Sequence, residues 1–161
     1  MAEEVIAPEI MNTTESAALL RTEQFPTEWP EEGEEAPSGF DFALSLFREF
    51  KSAGAVLFTD ELGEDSWEHQ NWFFRMEWEG EDYNFRIENS VLDADGTLWF
   101  VGITRAFGTL KAMRSSHEEK EVVSQALRDT TDRLLKAIAK PSELSWMTHG
   151  QALDILYETN S

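Results

Sequence analysis

Trp72-Phe-Phe-Arg-Met-Glu-Trp78, Glu79-Gly80, Glu81-Asp-Tyr-Asn-Phe-Arg-Ile-Glu88 is the stretch that decides the fold. Apolar and polar residues alternate on both sides of the Glu-Gly pair, and an alternation of period two belongs to a half-buried strand. Gly80 suits a two-residue hairpin turn, because glycine supplies positive φ without steric cost. That turn sets the register. Met76 then faces Tyr83, Phe74 faces Phe85 and Trp72 faces Ile87, so all six apolar side chains share one face. On the other face Phe73 meets Arg86, Arg75 meets Asn84 and Glu77 meets Asp82. The last pair carries like charges, which a diagonal Arg75 would relieve.

Working outward, Asp93-Ala-Asp-Gly96 reads as a second turn and Thr97–Thr104 (TLWFVGIT) as a strand. Leu98 and Phe100 lie on one face of that strand, and Trp99, Val101 and Ile103 on the other. A strand apolar on both faces is central, with its second face covered by a helix or by a twin subunit. Gly102 leaves room for another backbone to approach. Before the hairpin, Phe40–Ala53 has helical periodicity, with Ser38 as cap and Gly54 as stop. Ala55–Thr59 is a candidate first strand and Asp60–Gln70 a polar loop. After Thr104, Ala106–Arg114 fits an edge strand or a loop. His117–Ala139 reads as the longest helix, opened by a Ser116/Glu119 capping box and ended by Pro141. A last helix, about Gly150–Tyr157, starts from Thr148 with Gln151 completing a second box.

The first 40 residues are of another kind. They hold ten Glu, the single base Arg21, and Pro8, Pro26, Pro30 and Pro37. Residues 1–38 are expected to be an acidic flexible arm, with a short helix over 13–22 built on Ala17, Ala18, Leu19 and Leu20. Residues 39–161 are expected to form a single α+β domain. Its predicted layout is an N-terminal helix, a three- or four-stranded antiparallel meander, and two C-terminal helices packed on the sheet. That order and the acidity resemble the type III secretion chaperones in layout and charge alone. The second strand pair those chaperones carry between their later helices is not evident, and no residue role is taken from the likeness.

The chain of 161 residues, 41% apolar with 11 Phe and 6 Trp, is enough for a buried core. It has no cysteine, which excludes disulfides, thiolate metal sites and thiol catalysis. The opening residues lack the charged and apolar regions of a secretory signal, and no apolar run is long enough to span a bilayer. A cytoplasmic protein is therefore expected. The formal net charge is −19, from 32 acids against 13 bases. Such a charge repels nucleic-acid backbones and anionic membranes, so direct contact with either is not expected.

No pattern carries a known chemistry. His69, His117 and His149 lack the helical i+4 partner of a zinc site, and the last two read as surface residues at helix starts. Asp93-x-Asp95-Gly96 opens like a calcium loop, yet Thr104 stands where the bidentate Glu belongs, so the turn reading prevails. No catalytic residue, metal or cofactor is assigned. The leading expectation is a non-enzymatic interaction module (adaptor, chaperone or inhibitor) for a basic partner protein. Its contact residues would be Trp67 and Trp78, the adjoining Glu77 and Glu79, and Glu31, Glu32, Glu34 and Glu35 of the arm. One alternative is a mimic of nucleic acid that blocks a DNA- or RNA-binding protein. Against it, the residues after 40 hold only 22 acids against 12 bases, a net of −10. The other alternative is a small apolar ligand held on an aromatic sheet face of Trp72, Phe74, Tyr83, Phe85 and Trp99.

Overall fold

The computed structural model describes residues 11–25, 39–62, 66–68, 71–90, 93, 95–106 and 117–157. Its strands are β1 (Asn12–Thr13), β2 (Ala17–Arg21), β3 (Val56–Leu57), β4 (Trp67–Glu68), β5 (Asn71–Trp78), β6 (Glu81–Asn89), β7 (Leu98–Arg105), β8 (Val123–Ser124) and β9 (Glu143–Met147). Its helices are α1 (Phe40–Ser52), α2 (His117–Lys120), α3 (Gln125–Ala139) and α4 (His149–Leu156). The α+β class and the antiparallel sheet stand as expected.

The β5–β6 hairpin has the register its alternation dictates: Met76 opposite Tyr83, Phe74 opposite Phe85, Trp72 opposite Ile87. At its turn Glu79 has φ 50° and Gly80 φ 85°, the paired positive values that match the twist of the flanking strands. Arg75 reaches diagonally to Asp82 at 3.0 Å and relieves the Glu77–Asp82 repulsion.

The sheet itself is larger than expected. Seven strands join in the order β3-β5-β6-β7-β2-β9, with β4 also on β5, where three or four were predicted. The expected 13–22 helix is the main correction. Ala17–Arg21 is a strand, set antiparallel between β7 and β9. Alanine and leucine favour helices weakly, and tertiary placement overrides so small a preference. Four consecutive apolar residues have no polar side to show to water, and all four are buried. Ala18 and Leu20 enter the larger core, and Ala17 and Leu19 the smaller one on the opposite face. With β1 and β2 ahead of α1, the helix-first layout is also corrected.

The long C-terminal helix is broken. Val123 and Ser124 leave the helical path as β8, pairing with β1, and Ser124 caps α3 by accepting a hydrogen bond from the Leu127 amide at 3.2 Å. Valine resists the helix and serine prefers its cap, so the break falls where the residues favour it. Trp67–Glu68 pairs with β5 inside the expected polar loop. Gly39, with φ 114°, stands at the N-cap of α1, and a Cβ there would meet the Trp99 ring at 2.9 Å. The expected caps Ser38 and Ser116, and residues 107–114, lie outside the described residues.

The faces of the sheet are covered unequally. Phe42, Leu46, Phe47 and Phe50 of α1, with Leu127, Leu134 and Leu135 of α3, pack on Trp72, Phe74, Met76, Tyr83, Phe85, Ile87 and Trp99. On the other face α4 lays Ala152 and Leu156 over Ala17, Leu19 and Phe100. The second apolar face of β7 is thus covered by this chain's own α4. Among the described residues no helix is long and apolar enough to cross a membrane.

Candidate binding site at the hairpin tip

The register that buries the aromatic face also sets what the hairpin presents at its tip. Trp78 and Glu81 are the last pair before the turn, so an indole and a carboxylate flank Glu79 and Gly80. Trp78 is half-buried, its ring edge-on to Phe50 of α1 at 6.1 Å. Its indole N–H is enclosed and has no hydrogen-bond acceptor. Glu81 accepts from Arg105 at 2.7 Å and from the Tyr83 hydroxyl at 3.3 Å. Arg105 in turn donates to the Val122 carbonyl at 2.8 Å, which ties this end of the sheet to the segment leading into β8.

Together these groups enclose an open cleft of about 350 Å³, lined by Asn12, Trp78, Glu79, Glu81, Tyr83, Arg105 and Ser124. The Tyr83 hydroxyl titrates above its ordinary range. Burial is the main cause, the charge of Glu81 adds to it, and Arg105 opposes it. Tyr83 is therefore a neutral donor at physiological pH. The cleft offers two carboxylates, an aromatic wall and one guanidinium that Glu81 already engages. The chemistry suits a cation with an apolar stem.

The outer side of the tip differs. Glu77 lies opposite Val56 of β3, and the Arg75 guanidinium stacks on the Phe58 ring at 4.5 Å. Val56 and Phe58 are 58% and 51% exposed, so apolar surface adjoins the acidic tip on this side as well.

Of the residues expected at a partner surface, Trp78 and Glu79 line this cleft, while Glu77 faces the other side of the hairpin opposite Val56. Trp67 does not join them. It pairs with Trp72, six residues from Trp78 along β5, which at strand rise is roughly 20 Å away. Glu31, Glu32, Glu34 and Glu35 lie outside the described residues. Trp72, Phe74, Tyr83, Phe85 and Trp99, expected as a ligand face, are all buried at 5% exposure or less. Phe74 stacks on Phe85 at 5.0 Å, Phe47 meets Phe74 edge-on at 5.6 Å, and Phe42 tilts against Trp99 at 4.9 Å. All five belong to the core, and Tyr83 also backs the tip cleft.

Asp93 fills the turn role. Its carboxylate accepts from the Thr97 and Leu98 amides at 2.9 and 3.2 Å and pairs with Arg21 at 3.2 Å. Burial works to raise its pKa, but the hydrogen bonds from Arg21, Thr97 and Leu98 outweigh it and hold the carboxyl below the usual range. No group of three or more His, Cys, Asp or Glu among the described residues is placed to hold a metal ion. His69 lies outside the described residues, as does the His117 side chain.

Two features had no clear signal in the sequence. His149, expected at the surface, is buried, with Nε2 at 3.0 Å from the Ile103 carbonyl. Glu88 is fully buried on the α4 side, accepting from the Tyr157 hydroxyl and from Arg86, each at 2.8 Å. Both depend on where α4 docks, and its apolar residues alone do not say which sheet face they seek. No family model, curated protein or solved structure matches this chain.

Proposed function

We propose that this protein is a non-enzymatic binding module that holds a basic partner protein at the tip of the β5–β6 hairpin. The observation that carries the reading is the cleft in which Trp78 and Tyr83 stand beside Glu79 and Glu81. A lysine or arginine side chain laid against the indole, with its charge at the carboxylates, combines cation–π attraction with ion pairing. Trp78 supplies the aromatic anchor on which interfaces commonly gather their energy. The net charge of −19 favours association with a basic surface and speeds the encounter at low salt. The small-ligand alternative is less well supported, since its five aromatic residues are packed core.

Affinity capture from lysate of the source organism, with nuclease present, tests this reading when the wild type is compared with Glu79→Lys and with Trp78→Ala. The expected result is a basic protein retained by the wild type, released as salt is raised, and bound at least about tenfold more weakly by either variant. Retention unaffected by both variants would move the interface elsewhere. Capture of nothing by the wild type would count against protein binding altogether.

A further inference from the structure

We propose that α4 is a pH-released strap, docked on the β2–β7 face while His149 is neutral and freed from it when His149 takes up a proton. The geometry starts with the helix entry. Thr148 and Gln151 form a reciprocal capping box, and His149 is the first helical residue. That places the imidazole at the end of the helix where unpaired backbone N–H groups carry partial positive charge. The ring is driven into the sheet rather than into water. It is 6% exposed, lies edge-on to Phe100 at 6.0 Å, and sits where a side chain on Gly102 would collide with it.

The Ile103 carbonyl, 3.0 Å from Nε2, can only accept, so the neutral ring carries its proton on Nε2. A second proton must go to Nδ1 and brings a full charge into a buried, apolar contact. The charged groups around the ring do not reverse this. Burial depresses the His149 pKa, Arg86 of β6 depresses it further, and Glu121, ahead of β8, and the Ile103 carbonyl oppose them without prevailing.

The sign follows. A histidine whose folded pKa lies below the free value of 6.5 binds its proton more readily when the helix is released. Docking is at full strength above that value. It weakens as the pH falls below it and on through the depressed folded value.

Besides His149, α4 is held by a short apolar side that includes partly buried Leu153, by the Ser90 hydroxyl, which donates to the Leu156 carbonyl at 3.2 Å, and by Tyr157. Its buried side chains besides His149 are Ala152 and Leu156, packed on Ala17, Leu19 and Phe100. At the far end the Tyr157 hydroxyl is tied to Glu88 and Arg86. Burial and Glu88 raise its pKa, with Arg86 opposing, so this tether stays neutral throughout the acid range in which His149 titrates. Release therefore begins at the His149 end and uncovers Phe100, Leu19 and Ala17, the apolar stripe where β7 meets β2.

Amide hydrogen exchange on the full chain at pH 7.5 and 5.0, corrected for intrinsic rates, tests this. Most carboxylates remain ionised at the lower value, so histidines dominate the difference. The expected result is a rise in the opening constant for Ala152–Tyr157, bounded at about thirtyfold by the free value of 6.5, with β5 and β6 unchanged. His149→Gln, which keeps a donor for the Ile103 carbonyl but cannot take up a proton, should abolish that rise. Equal α4 protection at both pH values in the wild type would overturn the proposal, as would the same rise in His149→Gln. A direct NMR titration of His149 in the wild type does not depend on how the variant folds. A midpoint below 6.5 supports the strap, and one at or above 6.5 refutes it.

Discussion

Gly102 shows how tightly one residue is specified. A Cβ there would stand 2.7 Å from Cζ of Phe100 and 3.0 Å from Cε1 of His149, closer than carbon atoms tolerate. Neither ring has free space, because Phe100 is fully buried and His149 is held by its hydrogen bond. Gly102→Ala should therefore destabilise the protein by about 1–3 kcal/mol, the usual range for overpacking a core. Urea unfolding followed by tryptophan fluorescence checks it, and a loss under half a kilocalorie would mean that α4 yields easily. The close approach at Gly102 was legible from a glycine inside an apolar strand. What approaches it was not, because the approaching His149 is about 50 residues further along the chain.

Among the elements, the break between α2 and α3 is the informative one. Uninterrupted helical periodicity from His117 to Ala139 conceals it, and β8 is only two residues long. Val123 is buried opposite Thr13, and Ser124 supplies the cap of α3. Ser124→Ala should cost about 1 kcal/mol, the typical loss of a serine N-cap. Val123 packing and the β1 pairing remain in that variant, so its unfolding m-value should equal that of the wild type. A continuous helix would show no such penalty, since alanine is the better interior residue. The β5–β6 hairpin is the opposite case. Its alternation, its turn and its six inward apolar residues agree with one another, and one register satisfies all three.

At the scale of the molecule, β2 is the element whose loss is worst tolerated. It lies between β7 and β9, and its four buried residues serve both cores. A chain beginning at Gly39, where the domain was expected to start, lacks it. That chain leaves one edge of β7 unpaired, separates β9 from the sheet and strips α4 of Ala17 and Leu19. It should show no cooperative thermal transition and no native near-ultraviolet circular dichroism, whereas a chain beginning at Met11 should show both. A folded Gly39 chain would mean that β9 and α4 are dispensable.

The sequence by itself determined the features that depend on neighbours along the chain. These are the β5–β6 register, the two-faced β7, the α1 core face, the turn at Asp93 and the α4 capping box. Each is set by side-chain period or local hydrogen bonding, which act within a few residues. Only the tertiary structure decided what depends on contacts between distant segments. It made an alanine- and leucine-rich stretch a central strand and buried the five aromatic residues of the expected ligand face in the core. It brought Trp78, Glu79, Glu81 and Arg105 around one cleft and pressed His149 and Tyr157 onto a sheet formed far earlier in the chain. Such contacts follow from which apolar surfaces find each other, and the period of a short segment carries no information about its partner.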